Sequence, residues 1–400
     1  MKKSSVVTYM LSSTLVVVLL WAAGLVVILG QFADSGLGEV NNSVGDSALS
    51  IDKLPEETYS TTQQPLPEPT GGAENYLLVG VDSRQGANGN VGAGDSSAVT
   101  GTRTDTIMVA HLSDDRQKMT ITSIPRDLGV TNPGCEQWDS DTGTYGELME
   151  PEDNVKINSV YSTGGPRCLV RVLTNLTGLK FTRFAGIDFA GFEGIVNSVG
   201  GVDMCSEKYL EDKQLGHIMD SGTHNLTGNQ ALNFVRARKI IGENQSDYER
   251  IERQQYFLAS LMNKVMSSGT LSNPQKSVAL VRSVVDATFG ENIDSNHIME
   301  LMKTANSMDR NNIVFTTIPT LGSDDQYNEI PDMEGIKKLF TSQVNDGDES
   351  VSTQETETQT SSTETIKPTE TTTSESVAPT SQPENSVPEK SVVVGDKLCG

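Results

Sequence analysis

An uncharged apolar segment near the N-terminus divides this chain between two environments. Residues 6–30, VVTYMLSSTLVVVLLWAAGLVVILG, contain no charged side chain, and they exceed the ~20 residues with which a helix spans a membrane. Lys2 and Lys3 precede the segment and no basic residue follows it closely. This charge asymmetry predicts a cytoplasmic N-terminus at residues 1–5, a transmembrane anchor at 6–30 and an exported remainder. A cleaved signal peptide is the alternative, but its apolar region is usually ~7–15 residues long and ends at an Ala-x-Ala site.

Composition separates one folded domain from two polar segments. Residues 31–73 are rich in Ser, Thr, Asn, Gly and Pro and poor in aromatic residues, which is typical of an extracellular stalk. Residues 342–400 are rich in Ser, Thr, Glu, Gln and Pro, and we predict a disordered tail because such a segment cannot bury a core. The folded domain is therefore expected at residues 74–341.

Short apolar runs alternate with helical patterns in this central region. The predicted strands are NYLLVGV (75–81), TDTIMVAHL (104–112), KMTITSIP (118–125) and NIVFTTIP (312–319), and the second and third form a hairpin. The predicted helices cover residues 168–179, 247–267, 272–289 and 295–308. Residues 184–204 are predicted as a strand, a helix, a Gly-Gly turn and a strand. This alternation indicates one α/β domain.

A cluster of basic residues stands out in a chain of formal net charge -23. Such an acidic chain is a poor candidate for binding nucleic acid. Arg236 and Arg238 are two residues apart, so on an extended segment both side chains point the same way. Paired guanidinium groups bind phosphate well. The segment therefore predicts a site for a phosphate or a pyrophosphate.

The helix after this arginine pair carries a polar face of its own. Asp247, Arg250 and Gln254 are spaced i, i+3 and i+7, which places them on one side of a helix. The alternative is a solvated helix with exposed ion pairs, such as Glu249 with Arg253. We expect Glu249 and Arg253 to remain on the solvent side of this helix.

Charged residues also lie at the ends of the predicted strands. Asp82 ends the first strand, Asp105 lies at the start of the second, and Arg126 follows the third. Ligand-binding groups collect at strand ends in open α/β sheets, although aspartate is also a common turn residue. Two carboxylates with phosphate oxygens suit Mg²⁺, and Lys156 could neutralise further phosphate charge. Since GxSxG and HExxH are absent, phosphoryl transfer fits these residues better than serine or zinc hydrolysis.

Cysteine usage agrees with an exported domain. The four cysteines are Cys135, Cys168, Cys205 and Cys399. Outside the cytoplasm they can form disulfides, but four cysteines allow three pairings and spacing does not choose among them. No CxxC is present, so a zinc site is not indicated.

Seven segments in a fixed order resemble one protein family. They are NYLLVGVDSR (75–84), TRTDTIMVAHL (102–112), ITSIPRDLGV (121–130), KINSVYSTGG (156–165), IDFAGFEGIVNSVGGVDM (187–204), LTGNQALNFVRAR (226–238) and DYERIERQQ (247–255). With these segments the chain resembles the LytR-CpsA-Psr (LCP) family. The resemblance implies a central mixed β-sheet flanked by helices, with an apolar pocket that binds a lipid. It also implies a single-pass membrane protein whose catalytic domain is extracytoplasmic.

The same resemblance implies an activity. Family members move a glycopolymer from a polyprenyl-pyrophosphate carrier onto the 6-hydroxyl of muramic acid in peptidoglycan, forming a phosphodiester. They depend on Mg²⁺, with Mn²⁺ as the alternative ion. Two other functions stay open from the residues alone: hydrolysis of the polyprenyl pyrophosphate, and non-catalytic binding of lipid or wall polymer at the cell surface.

The family pattern assigns a role to individual positions. Asp82 and Asp105 match the metal-linked carboxylates. The residues that match the catalytic set are Arg103, Arg126, Arg236, Arg238, Asp247 and Arg250, with Asp247 as a base near the acceptor. Further contacts to the pyrophosphate lipid are expected from Arg84, Lys156 and Gln254. The lipid pocket is expected from Phe181 to Phe192 and from the helices after Arg250.

Two insertions and two short motifs distinguish this chain from the general pattern. Residues 85–102 lengthen the loop between the metal-linked aspartates, and residues 131–155 form a polar insertion. The motifs PGCEQW and GGPRCL resemble corynebacterial members, for which the polymer would be arabinogalactan. That resemblance pairs Cys135 with Cys168 and leaves Cys205 and Cys399 either paired or free.

Overall fold

The computed structural model describes residues 66, 72–82, 103–243, 246–267, 273–345 and 391–394. Its strands are β1 (Glu74–Asp82), β2 (Arg103–Leu112), β3 (Met119–Ile124), β4 (Gly129–Asn132), β5 (Glu136–Asp139), β6 (Thr144–Leu148), β7 (Glu152–Lys156), β8 (Arg183–Asp188), β9 (Val202–Ser206), β10 (Leu210–Asp212), β11 (Gly216–Met219), β12 (Gly222–Leu226), β13 (Thr288–Glu291), β14 (Ile313–Thr317), β15 (Thr320–Ser323), β16 (Glu329–Pro331) and β17 (Val392–Val393). Its helices are α1 (Ile157–Thr177), α2 (Phe189–Ser198), α3 (Gly228–Arg236), α4 (Asp247–Ser267), α5 (Pro274–Ala287), α6 (Ser295–Ser307) and α7 (Met333–Asn345).

A seven-stranded sheet forms the centre of the domain, in the order β13–β8–β1–β2–β3–β14–β17. The neighbours β1, β2 and β3 are antiparallel, whereas β8 is parallel to β1 and β14 is parallel to β3. The sheet is therefore mixed, which confirms the predicted fold class. The predicted hairpin is β2–β3, and at its turn Ser113 N donates to Lys118 O over 3.0 Å.

Strand alternation divides the hydrophobic core between the two faces of the sheet. Leu77 and Val79 of β1 are buried in the cluster that includes α1 and α7. Tyr76 and Leu78 of the same strand pack with residues of α4 on the opposite face. Because successive side chains of a strand point to opposite faces, β1 ends with Asp82 on the α4 side.

Helix α1 begins 11 residues before the predicted start at residue 168, at Ile157. The helix continues through Pro166 with a kink at Gly165, whose φ is 65° and ψ is -166°. A Cβ atom at Gly165 would lie 2.6 Å from Trp138 Cγ. The glycine therefore supplies both the left-handed backbone and the space for the indole ring.

The polar insertion at residues 131–155 is ordered by two strand pairs and a disulfide. The strands β4 and β7 pair with each other, as do β5 and β6. Trp138 is buried and packs edge-to-face on Tyr161, with 5.3 Å between the ring centroids. Cys135 and Cys168 form a disulfide with Cα atoms 5.7 Å apart, which confirms the predicted pairing.

The remaining cysteines are Cys205 and Cys399. Cys205 is also disulfide-bonded, so among the described residues no cysteine is free. Cys399 lies outside the described residues. The sequence had left open whether Cys205 and Cys399 are paired or free.

Part of the predicted tail belongs to the folded domain. Helix α7 continues to Asn345, beyond the expected boundary at residue 341. Strand β17 pairs antiparallel with β14, Val394 N donates to Ile313 O over 3.1 Å, and Val392 and Val394 are each 1% exposed. The rest of the tail and the predicted anchor at residues 6–30 lie outside the described residues. Within the described ranges, no helix has the length and apolar character needed to cross a membrane.

Replacing both Val392 and Val394 by aspartate should lower the free energy of unfolding by about 3 kcal/mol, because fully burying a valine contributes ~1.5–3 kcal/mol. Urea unfolding followed by circular dichroism would measure the change. Ser391→Asp, at an exposed neighbouring position, is the matched control. Unchanged stability of the double variant would show that β17 contributes nothing to the domain.

Candidate active site

An apolar cavity of about 490 Å³ lies between the central sheet and the helices α2, α3 and α4. Its apolar wall is formed by Leu78, Met108, Ile187, Phe189, Phe192, Leu232, Val235, Phe257 and Leu258. The phenylalanines of α2 and α4 are neighbours, since the ring centroids of Phe192 and Phe257 are 5.4 Å apart. The cavity is large and apolar enough to take part of a long hydrocarbon chain.

Charged residues line the same cavity. They are Asp82, Asp105, Asp188, Asp212, Arg236, Arg238 and Arg250, and the neutral Gln254 joins them. Arg236 ends α3 and Arg238 follows it on an extended segment, because Ala237 between them has φ -56° and ψ 128°. Both arginines line the cavity, although Arg236 is the last residue of a helix and not part of the expected extended segment. The cavity therefore combines an apolar wall with guanidinium groups, as an amphiphile with an anionic head would require.

Asp247 is surrounded by three arginines. Its Oδ2 atom accepts a hydrogen bond of 3.0 Å from Arg250 Nη2. Its Oδ1 atom lies 3.5 Å from Arg126 Nε and 3.6 Å from Arg238 Nη2. The predicted helix face is thus confirmed, since Asp247 and Arg250 meet one turn apart on α4. The arrangement brings together arginines from three separate parts of the chain.

Burial sets the protonation behaviour of this cluster. It raises the pKa of Asp247, against the opposing effect of Arg250 and Arg126, while Asp127 and Asp105 raise it further. Burial lowers the pKa of Arg250, which is only 3% exposed. Guanidinium groups stay charged in proteins even so. Asp247 is therefore a carboxylate that binds a proton more readily than an exposed aspartate.

A chain of ion pairs leads away from the cavity. Asp105 Oδ1 accepts from Arg126 Nη1 at 2.7 Å, and Asp105 O accepts from Arg250 Nη2 at 2.9 Å. Arg126 Nε lies 3.4 Å from Asp127 Oδ2, and Lys156 Nζ donates to Asp127 Oδ1 over 3.0 Å. Although burial lowers the pKa of Arg126, the charge of Asp247 and the hydrogen bond with Asp105 raise it overall. Asp247, Asp105 and Asp127 therefore keep this arginine charged and in place.

The backbone of the arginine segment is held by Asp212 and Arg253, neither of which was predicted as a site residue. Asp212 Oδ2 accepts hydrogen bonds from the backbone N of Arg238, at 2.9 Å, and of Lys239, at 2.6 Å. Arg253 donates to Ala237 O. The prediction that Arg253 is solvated was wrong, because the residue is 9% exposed and pairs with Glu243 rather than Glu249. Asp212 lies on β10 and Arg253 on α4, so the two residues reach this segment from opposite directions along the chain, and sequence spacing could not reveal these contacts.

Comparison with known proteins identifies the family of this chain. Residues 41–345 match the model of the LytR_cpsA_psr family. The chain belongs to the LytR-CpsA-Psr family. This match confirms the family resemblance found in the ordered motifs.

Curated relatives agree with the assignment, and a solved structure shows a similar fold. The chain is 33% identical over 277 residues to the probable cell wall biosynthesis protein LcpB of Corynebacterium glutamicum, covering 67% of this chain and 60% of LcpB. It is 33% identical over 273 residues to the cell wall biosynthesis protein LcpA of the same organism, covering 63% of this chain and 51% of LcpA. The chain thus spans between half and three fifths of the length of these relatives. The LytR-Csp2A-Psr enzyme from Actinomyces oris has the same fold, with a TM-score of 0.52, 21% identity and coverage of 69% of this chain and 91% of that one.

Two of the residues that match the LytR-CpsA-Psr pattern cannot be placed in full. Arg84 lies outside the described residues. Arg103 starts β2 opposite Asp82 of β1, but its side chain is outside what the structure describes. Their expected contacts with pyrophosphate stay predictions.

Only some of the residues predicted to form a lipid pocket line the cavity. Phe189 and Phe192 line the cavity, but Phe181 and Phe184 are buried in the core on the other side of the sheet. Phe184 is next to Ala185 on β8, so strand alternation directs its side chain to the face opposite that of Ala185, which lines the cavity, whereas Phe181 precedes the strand. Arg236 packs over Phe189, with Cζ 4.2 Å from the ring centroid. The contact links the apolar wall to the arginine pair.

The described residues contain no group of three or more His, Cys, Asp or Glu side chains arranged to hold a metal ion. Asp82 and Asp105 line the same cavity, however. Mg²⁺ is commonly bound through one or two carboxylates together with substrate phosphates and water. The two aspartates therefore fit a cation shared with a substrate phosphate, rather than one held by protein ligands alone.

Proposed function

We propose that this protein is a phosphotransferase that moves a glycopolymer from a polyprenyl-pyrophosphate carrier onto the muramic acid 6-hydroxyl of peptidoglycan. One observation carries the proposal: a single cavity has an apolar wall and an arginine-lined polar side. A polyprenyl pyrophosphate has the matching parts, a hydrocarbon chain joined to two phosphates. Its chain would lie against Phe192 and Phe257, and its pyrophosphate against Arg236, Arg238 and Arg250.

In the proposed reaction the acceptor hydroxyl attacks the phosphorus that carries the glycan. A P–O bond forms to the acceptor, and the bond from this phosphorus to the bridging oxygen breaks. Polyprenyl phosphate leaves with that electron pair, so the product is a phosphodiester. Arginine side chains stabilise the charge that develops on the phosphate oxygens.

Asp247 is the proposed base for this attack. Its raised pKa, caused first by burial, brings it closer to the value at which a general base works well near neutral pH. Arg126, Arg238 and Arg250 orient the carboxylate. They would also stabilise the substrate phosphates that lie beside it.

Asp82 and Asp105 are the proposed carboxylates for Mg²⁺, which when bound would neutralise charge on the pyrophosphate. The chain supplies the other positive charges through its arginines. The proposed cation and the arginine cluster would thus neutralise the charge of the same pyrophosphate.

The polymer and the location of the protein are also proposals. Arabinogalactan is the proposed glycan, supported by the 33% identity to two cell wall proteins of Corynebacterium glutamicum. We further propose that residues 6–30 anchor the chain in the membrane with the domain outside the cytoplasm. The uncharged apolar segment and the lysines before it support this orientation.

Val235→Trp is expected to reduce bound polyprenyl lipid about tenfold, because a larger side chain at this cavity-lining position occupies the space of the hydrocarbon chain. The substitution leaves the carbonyl of Val235 in place, which accepts from Gln254 Nε2 at 3.2 Å. Mass spectrometry of lipids that copurify with the full chain would measure occupancy. Val235→Ala, which keeps the cavity open, is the control, and equal occupancy in both variants would contradict a lipid in this cavity.

Transfer itself is tested with the full chain in detergent, a polyprenyl-pyrophosphate-linked glycan, a muropeptide oligomer and Mg²⁺. The proposal predicts a new phosphodiester at the muramic acid 6-position, detectable by mass spectrometry. Lipid binding without this product would favour a non-catalytic surface protein instead.

A further inference from the structure

The β15–β16 hairpin, residues 320–331, borders the site on the side away from the cavity. Glu329 N donates to Asp127 O over 2.8 Å. Lys156 Nζ donates both to Asp127 Oδ1, at 3.0 Å, and to Tyr327 O, at 2.7 Å. Since Asp127 follows Arg126 directly, the hairpin is attached to the arginine cluster by two independent contacts. Lys156, which is predicted to contact the phosphates or to orient its neighbours, holds this hairpin through Tyr327 O.

The hairpin is also attached beside Asp247. The next residue, Tyr248, donates its hydroxyl to Glu329 Oε2 over 3.0 Å, and the hydroxyl also bonds with Thr320 Oγ1. Burial raises the pKa of Tyr248, so its hydroxyl stays protonated. The strands of the hairpin are thereby fixed relative to the carboxylate of Asp247.

The β15–β16 hairpin and the start of α7 expose several large apolar side chains to solvent. Its exposed large apolar side chains, with the start of α7, are Leu321 (57%), Tyr327 (81%), Ile330 (40%) and Met333 (54%). Thr320, which alternates with Leu321 along β15, is buried and faces Tyr248. The alternation of the strand therefore directs Leu321 to solvent.

Tyr327 is held in a defined position at the hairpin turn. Its φ is 60°, a left-handed conformation that is uncommon for a residue with a large side chain. Asp324 organises the turn, because its Oδ1 accepts from Gln326 N at 2.9 Å and Asn328 N at 2.8 Å, and its Oδ2 accepts from Asn154 at 2.8 Å. The exposed phenol ring thus sits on a backbone fixed from both sides.

Reaction geometry identifies the molecule that meets this surface. Attacking and leaving oxygens lie roughly in line in phosphoryl transfer. The leaving polyprenyl phosphate belongs to the cavity, whereas Arg126, Asp127, Asp247 and Lys156 are not among the cavity-lining residues. The acceptor must therefore approach from the side that these residues and the hairpin share.

We propose that the β15–β16 hairpin is the docking surface for the acceptor glycan, with Tyr327 stacking on an N-acetylated sugar ring. The inference rests on the proposed transfer reaction. Sugar rings have apolar faces that pack against an aromatic ring, and the tyrosine hydroxyl remains available to water or a sugar hydroxyl. The attachment of the hairpin to Asp127 and Tyr248 places the bound sugar beside Asp247.

Tyr327→Ala tests this docking surface in two assays. With the donor saturating, the KM for the muropeptide oligomer should rise about tenfold, as expected for loss of an aromatic contact, with kcat and the donor KM unchanged. Without donor, cosedimentation of the full chain with insoluble peptidoglycan should fall by a similar factor. Tyr327→Phe should retain both properties, because the aromatic ring is kept.

Tyr209→Ala is the matched control, since Tyr209 is another exposed tyrosine, 52% exposed, that packs near His217. Wild-type acceptor KM and cosedimentation in Tyr327→Ala would overturn the proposal, as would a wild-type chain that fails to sediment with peptidoglycan. If the wild-type chain transfers no polymer, the proposed function fails. The sedimentation assay still decides the docking surface in that case.

Discussion

Replacing Arg236 or Arg238 by alanine is expected to reduce polymer transfer by about a hundredfold to a thousandfold while the protein stays folded. Removing one preorganised donor from a developing charge has a cost of this size. Both side chains line the cavity, and the side chain of Arg238 is 37% exposed. Because neither side chain is fully buried, truncation should leave the core intact.

Lys239→Ala provides a matched control for the arginine variants. Lys239 is the next cationic residue along the chain, is exposed and does not line the cavity. Its variant should transfer at the wild-type rate, and all three variants should keep the wild-type melting temperature. Full activity in both arginine variants would show that this pair does not hold the pyrophosphate.

Asp247→Asn is expected to slow transfer about a thousandfold and to change its pH dependence, since a positioned general base contributes ~10²–10⁴ in rate. The base acts only when it is deprotonated, so the wild-type rate should fall as pH drops through the pKa of Asp247. Because burial raises that pKa above the ordinary value of 3.8, the fall should occur at a higher pH than for an exposed aspartate. The asparagine variant should lack this acidic limb.

Asp203→Asn is the control for this substitution. Asp203 is exposed on β9 and pairs with Lys264 at 3.3 Å, away from the cavity lining. Steady-state rates of the three proteins across the pH range of stable folding would give the profiles. An unaltered acidic limb in Asp247→Asn would exclude this residue as the base, and another group would have to take the proton.

Periodicity predicted the central architecture because the relevant signals are local. The strands 75–81 and 104–112 and the helix 247–267 each show a clear pattern in sequence, and the structure contains them as β1, β2 and α4. The helical period at residues 168–179 covers only the C-terminal half of α1, and the structure continues the helix across Pro166, a residue type that normally breaks a helix. In this protein Gly165 absorbs the break with a positive φ, so the helix extends on both sides.

Other parts of the fold depend on contacts that sequence patterns do not contain. Strand β17 lies in a segment of low complexity and gains its structure from pairing with β14. Asp212 reaches the backbone of Arg238 across 26 residues of sequence. The side chain of Tyr248 reaches the β15–β16 hairpin, 81 residues away at Glu329. Such long-range contacts explain why the arginine cluster was predicted but the groups that position it were not.

The measurement that tests the central claim most directly is a product balance with and without acceptor. The full chain in detergent would be given a polyprenyl-pyrophosphate-linked glycan and Mg²⁺, and released polyprenyl phosphate and new phosphodiester would both be quantified. A transferase with the proposed site predicts equal amounts of the two products, formed only when the muropeptide acceptor is present. Equal release of polyprenyl phosphate without acceptor, or stable binding of the lipid with neither product, would contradict the account.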